Sequence, residues 1–184
     1  MGMPATIEQE WTFEMWEALP DDGNRYEIID GELFMTPAPS WSHQTVLEEL
    51  AFRFATYLRE HPVGRVLRSP ADIRIDRRNL VQPDLFITAP GVRDWKDVTS
   101  LLLAIEILSP STARADRARK RPLYQRFNVP EYWIVDTDAR LIERWRPSDK
   151  RPEILETSIE WRPGGVQPGL EIDLVQFFKS IEAD

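Results

Sequence analysis

The run Val81-Gln82-Pro83-Asp84-Leu85-Phe86-Ile87-Thr88 decides how the chain is read, together with Leu101-Leu102-Leu103-Ala104-Ile105-Glu106-Ile107-Leu108-Ser109-Pro110-Ser111, which follows a polar excursion. Both apolar runs have strand length and are bounded by turn signals. Each carries one carboxylate, Asp84 or Glu106, among residues that otherwise read as buried. A carboxylate taken out of water is costly unless it is paired, hydrogen-bonded or bound to a cation. Two of them on strands expected to be neighbours point to a cation site.

The whole sequence bounds what that site can be. Its 184 residues, 42% hydrophobic and 29% charged, suit one globular domain, expected to span 1–184 with residues 1–10 flexible. No run is long enough to cross a bilayer and no signal-peptide pattern opens the sequence, so a cytoplasmic protein without membrane association is expected. Met1-Gly2-Met3-Pro4-Ala5-Thr6 fits the myristoylation pattern, which is short enough to arise by chance. Cys is absent, so any metal must be held by oxygen or imidazole, and carboxylates favour hard cations such as magnesium or manganese. The net charge of −8 repels a polyanion at long range. Nucleic-acid binding would need a local basic patch, or charge supplied by a metal or a partner. This argues against an indiscriminate nucleic-acid binder but not against a metal-dependent nuclease.

Upstream of the deciding stretch, segments 64–69 and 71–76 read as strands separated at Pro70. Ile73 and Ile75 share one face, Arg74 and Asp76 the other. Arg77-Arg78-Asn79 turns into the Pro-Asp strand. Ser40 caps a helix predicted to run to about Arg59, with Val46, Leu47, Leu50, Phe54, Tyr57 and Leu58 at helical spacing. At about 100° per residue, His43 falls near the centre of that stripe. A core histidine with a satisfied hydrogen bond and a site histidine are both open readings. Glu48 and Glu49 project away from the stripe. Before the helix, Thr12 caps a short helix that stops before Pro20, and Arg25 to Met35 is a hairpin with Asp30-Gly31 at its tip, ended by Pro37 and Pro39.

Downstream, Pro90 to Ser100 is a polar loop, and Ser109-Pro110-Ser111-Thr112 opens a helix. Over the next segment Ala113, Asp116, Lys120, Leu123, Tyr124 and Phe127 project onto one stripe, while Arg114, Arg117, Arg119 and Arg121 take other faces. Pro122 predicts a kink or restart there. Asp116 and Lys120 are either an ordinary i,i+4 ion pair at the helix edge or bring Lys120 into a cleft beside Glu106. Segments 130–136 and 140–145 read as a second hairpin, 153–159 as a further strand and 161–169 as loop. Asp173 caps a last helix with Leu174, Phe177, Phe178 and Ile181 inward. Strands and helices come in blocks, which gives an α+β fold with a helix on each face of a mixed central sheet.

Taken together, Tyr26-Glu27-(x)2-Asp30-Gly31-Glu32, His43, Gln82-Pro83-Asp84, Glu106 to Thr112, Asp116-(x)3-Lys120-(x)3-Tyr124 and Val129 to Asp136 resemble the Uma-two family of restriction-endonuclease-like bacterial proteins. That family lies within the PD-(D/E)XK nuclease superfamily, and the resemblance runs from about Thr12 to about Phe178. It implies an α-β-β-β-α-β core, here with an N-terminal hairpin extension and a C-terminal hairpin and helix. It also implies that the Pro-Asp aspartate and the acid of the next strand bind magnesium, which maps onto Asp84 and Glu106, with a backbone carbonyl from Ile107. The superfamily's lysine stands two positions after that acid, where this sequence has Leu108. The superfamily tolerates migration of the lysine to the following helix, and Lys120 is the match. No inward glutamate on the first helix is apparent, and Glu27, Glu32 and His43 are the candidate substitutes, with Asp116 and Tyr124 also supporting the site.

These expectations describe a magnesium- or manganese-dependent endodeoxyribonuclease, with Asp84, Glu106 and Lys120 catalytic and Arg114, Arg117, Arg119 and Arg121 as its basic edge toward DNA. A homodimer is expected, since cutting both strands of a duplex uses two sites, with aromatic residues including Trp133, Trp145 and Trp161 at the interface. The missing strand lysine favours an alternative, an inactive nuclease-fold module for nucleic-acid binding or protein assembly. A third reading has Asp84 and Glu106 merely paired with arginines such as Arg74.

Overall fold

The computed structural model describes residues 10–36, 38–109, 113 and 116–182. The expectations placed on residues 1–9, Pro37, Pro110-Ser111-Thr112 and Arg114 lie outside the described residues. Helix α1 (Phe13–Glu17) follows Thr12, whose backbone is extended but whose side chain makes no capping bond. Strands β1 (Arg25–Ile29) and β2 (Glu32–Thr36) form the expected hairpin. Both tip residues take positive φ, 53° at Asp30 and 82° at Gly31, as a two-residue turn between twisted strands requires. Helix α2 (Trp41–Glu60) buries the six stripe residues read from its periodicity, and the Ser40 hydroxyl accepts the His43 N–H at its start.

Four strands follow: β3 (Arg65–Arg68), β4 (Ile73–Asp76), β5 (Asn79–Val81) and β6 (Leu85–Thr88). The deciding stretch is therefore two strands rather than one. Pro83 has no N–H for a ladder and a fixed φ, so pairing ends at Val81 and resumes at Leu85. The chain changes sheet at that joint. Strands β4 and β5 join the hairpin in one sheet, ordered β2-β1-β5-β4, while β3 and β6 enter another.

Next come β7 (Leu101–Ile107), a π-helical turn (Asp116–Lys120), α3 (Arg121–Arg126), β8 (Tyr132–Asp136) and β9 (Leu141–Trp145). The irregular turn meets regular helix beside Pro122, which cannot donate to the preceding turn. The chain ends in β10 (Glu153–Leu155), β11 (Ser158–Trp161), β12 (Leu170–Asp173) and α4 (Leu174–Glu182), with Asp173 Oδ1 accepting the Gln176 N–H. The 153–159 segment is thus also two strands, because β10 pairs with β9 and β11 pairs with β12, a strand not foreseen.

The main sheet runs β10-β9-β8-β7-β6-β3, with β7 and β8 parallel and its other neighbours antiparallel. Its α2-β3-β6-β7-α3-β8 path is the α-β-β-β-α-β core. Alternation along the strands divides the core in two. Leu85, Ile87, Leu103, Ile105, Trp133 and Val135 pack under α2 and α4. Phe86, Ala104, Tyr132 and Ile134 pack under Leu123 and Tyr124 of α3. Trp133, Trp145 and Trp161, expected at a dimer interface, are core residues instead. A half-buried strand pattern cannot by itself distinguish an inward tryptophan from an interface one. Among the described residues no helix is long and apolar enough to cross a membrane.

Candidate active site

The β6–β7 register pairs Leu85 with Ile105, and one further step sets Asp84 across from Glu106. Directly opposed side chains leave a sheet on the same side, so the joint at Pro83 and the end of β7 bring the two acids to one place. Asp84 Oδ2 accepts the Ile107 N–H at 2.8 Å and lies 3.0 Å from His43 Nε2. The first turn of α2 delivers that ring, and its side chain is only 10% exposed.

Glu106 faces α3. Its Oε1 lies 3.1 Å from Lys120 Nζ and accepts the Tyr124 hydroxyl at 3.2 Å. Lys120 also reaches Glu27 Oε2 at 2.9 Å and Asp116 Oδ1 at 3.6 Å. Glu27 comes from β1 of the other sheet, held by the Gln82 N–H on Oε1 (2.6 Å) and the Thr36 hydroxyl on Oε2 (3.3 Å). The N-terminal hairpin is therefore part of the site wall. Asp116 and Lys120 do form an i,i+4 pair, but away from any exposed helix edge: both residues are buried, and both line the cleft. Neither acid pairs with Arg74, which packs its guanidinium over the Phe13 ring and lies 3.9 Å from Glu14.

Charge is unevenly balanced here. Among the described residues, Glu27, Asp84, Glu106 and Asp116 are all buried here, and the one buried amine, Lys120, reaches three of them. Burial pushes the Glu106 carboxyl well above its ordinary range; Lys120 opposes that push, and Asp84, Asp116 and Glu27 add to it. Burial alone would lower the Lys120 amine, but Glu106, Glu27 and Asp116 outweigh it and hold the amine well above its usual value. Burial, then Glu106, pushes the Tyr124 phenol up as well, so it stays a hydrogen-bond donor. Tyr132, whose hydroxyl reaches the Asp116 carbonyl at 3.4 Å, is raised by burial and then by Asp116.

The residues fit a hard divalent cation. Among the described residues no group of three or more His, Cys, Asp or Glu side chains is gathered for a metal. Magnesium needs fewer, because it keeps several waters and uses one or two carboxylates. Asp84 and Glu106 both line a cleft of ≈ 690 Å³, and the excess of buried negative charge is what a cation would relieve.

Several expected residues sit elsewhere. Glu32 is exposed on β2 and pairs with Arg119 at 2.9 Å, so it does not join Glu27. The expected arginine edge is not a free one. Arg117 is tied to Glu143 and Asp136, and Arg121 bonds the Arg117 carbonyl and Gln125 and lies over the Trp145 ring. Of Arg117, Arg119 and Arg121 only Arg117 lines the cleft. Sequence reasoning missed Arg25, Gln82 and Thr36, which also line it. Adjacency of Gln82 to Pro83-Asp84 is a usable signal for that residue; Arg25 and Thr36 face each other in the β1–β2 register, which only the hairpin pairing reveals. Because Glu32 is solvent-facing, Glu32→Ala should change stability by no more than about 0.5 kcal/mol and leave any nuclease activity intact. Thermal melting and a cleavage assay check both.

Comparison with known proteins fits this geometry. The profile of the Uma2 family, described as "Putative restriction endonuclease", matches residues 13–178. No curated protein matches the chain. The crystal structure of a protein described as "a putative nuclease belonging to DUF820" from Anabaena variabilis superposes with a TM-score of 0.77 at 17% identity, covering 93% of this chain and 99% of that one. At that identity the likeness is one of fold. With nearly its whole length inside the matched profile, the chain belongs to the Uma2 family of restriction-endonuclease-like proteins.

Proposed function

We propose that this protein is a cytoplasmic, divalent-metal-dependent endonuclease that hydrolyses phosphodiester bonds in DNA. The observation that carries the reading is the meeting of Asp84, Glu106 and Lys120 in one cleft. Asp84 and Glu106, with the main-chain carbonyl of Ile107, would hold magnesium or manganese. Such a cation, held by these residues, would supply Lewis-acid activation of the phosphodiester and of the attacking water. The chain's own contribution is positioning. Ile107 N–H and His43 Nε2 fix Oδ2 of Asp84, which orients its other oxygen. Tyr124 and Lys120 fix Oε1 of Glu106. Glu27 steadies the Lys120 amine, which stands ready to orient water or offset charge growing on the phosphoryl group. The positive charge that an acidic protein needs toward DNA would come chiefly from the cation, since Arg117 in the cleft wall is already paired with Glu143 and Asp136.

A specific observation keeps a second reading in play. Lys120 is bound by three carboxylates, and position 108 is leucine. A module that keeps the fold for nucleic-acid binding or assembly would tolerate such a locked amine. The test is cleavage of supercoiled plasmid and of an RNA oligomer by wild type and Asp84→Asn, with magnesium or manganese. The expected result is metal-dependent DNA cleavage by wild type, reduced at least about 10²-fold in the variant. Equal cleavage by both proteins refutes the assignment. DNA binding without cleavage establishes the second reading, and cleavage of RNA alone corrects the substrate.

A further inference from the structure

Helix α2 buries one face, and its opposite face carries two large aromatics in solvent. Trp41 is 82% and Phe52 68% exposed. They stand about three turns apart and so share a stripe. Between them Gln44, Thr45, Glu48 and Glu49 line the floor of a ≈ 650 Å³ groove, and Ile181 of α4 closes one side.

We propose that this face of α2 pairs antiparallel with the same face of a second copy of the chain, forming a two-fold dimer. A two-fold interface must be self-complementary, so that when residue i meets residue j, j also meets i. The stripe meets that condition about a point midway between Val46 and Leu47. Trp41 falls against Phe52 of the second copy, Gln44 against Glu49, and Thr45 against Glu48. Aromatic meets aromatic, the Gln44 amide meets a carboxylate, and Thr45, whose hydroxyl donates to the Trp41 carbonyl of its own helix, sets no like charge against Glu48. A parallel arrangement would instead set Trp41 on Trp41 and glutamate on glutamate. The carboxylates also arrive neutralised: Glu48 is 2.5 Å from Arg68 and Glu49 2.6 Å from Arg53. Duplex nucleic acid is the poorer occupant, since the residues lining the groove include two acids and no Lys or Arg to contact its phosphates.

The position of the stripe gives the dimer a consequence. Trp41 lies between Ser40 and Ser42, and both of those line the cleft. Phe52 of the second copy would therefore seat beside the cleft mouth, and one assembly would present two clefts, as cutting both strands of a duplex requires. That consequence rests on the nuclease reading; the interface does not. A contact built on one helix stripe lies at the small end of protein interfaces, so reversible, concentration-dependent association is expected.

Sedimentation velocity and light scattering on the full chain over a concentration series test the proposal. Wild type should reach dimer mass, while Trp41→Asp and Phe52→Asp should each weaken association by at least about 10-fold. Both sites are exposed, so melting temperatures near wild type will show that the variants fold. Because the chain lacks Cys, the Thr45→Cys/Glu48→Cys variant should give a disulfide-linked dimer on oxidation, read on a non-reducing gel. Wild type that stays monomeric up to its solubility limit overturns the proposal. So does a dimer that survives both aspartate substitutions. Unchanged mass with lost DNA binding in Trp41→Asp would assign the face to nucleic acid and also overturn it.

Discussion

Glu106→Gln is expected to make the metal-free protein more heat-stable while removing its metal-dependent cleavage. A functional site can hold buried charge at the expense of stability, and here the local charge balance is the reason the change is expected to stabilise. Burial disfavours the Glu106 carboxylate, Asp84, Asp116 and Glu27 repel it, and Lys120 and the Tyr124 hydroxyl oppose them without offsetting the push. The neutral amide keeps nearly the same shape and removes that repulsion, while Lys120 retains Glu27 and Asp116. The pH dependence follows in sign. The folded protein holds the Glu106 proton more tightly than the unfolded chain does. That contribution to stability is fully present below the ordinary carboxylate value of 4.5 and is lost as pH rises through the raised folded value. Wild type should therefore lose melting temperature relative to Glu106→Gln across that window when a chelator is present. Added magnesium should narrow the gap from the wild-type side, because the cation replaces the proton as the partner of the carboxylate. Scanning fluorimetry over a pH series, with chelator and then with magnesium, measures this. A Glu106→Gln variant melting below wild type in chelator at neutral pH would show that the charge is not in excess there.

Much of this arrangement could be read from the residues, for identifiable reasons. The α2 stripe, the Asp30-Gly31 hairpin and β7 are local patterns in which periodicity, caps and turn residues agree. Helical projection also puts Lys120 on the buried side, since a charged residue on the stripe of Leu123 has no other side to take. What the sequence hides is non-local. The partners of Lys120 include Glu27, more than ninety positions away in another sheet, and no local pattern selects Glu27 over Glu32. Both are acids of one hairpin, yet Glu27 points into the site and Glu32 lies in solvent. The change of sheet at Pro83 is a similar case. Proline is a visible signal for a break, but which sheet each half joins depends on pairings across the molecule.

Lys120→Met should combine a large loss of stability with a large loss of activity, and a second substitution should separate the two. Without the amine, Glu27, Glu106 and Asp116 are left buried around an apolar side chain. Removing one partner of a buried ion pair costs about 3–5 kcal/mol, because the remaining charge has no compensation. Urea unfolding in chelator should show a loss of that order. Cleavage should fall by about 10²–10³-fold, the usual effect of losing one donor aimed at developing charge. Lys120→Arg is not a remedy, because the larger planar guanidinium does not match a site built around a compact ammonium. Adding Glu27→Gln to Lys120→Met removes the charge of the carboxylate nearest the lost amine while keeping an amide that can still accept the Gln82 N–H. Stability should then recover by about 1–3 kcal/mol relative to the additive expectation, but cleavage should not. If the double variant regains cleavage along with its fold, Lys120 is a counter-ion for buried carboxylates and the chemistry belongs to Asp84 and Glu106 alone. If stability returns and cleavage stays lost, the amine has a role in the reaction that the ion cluster by itself does not explain.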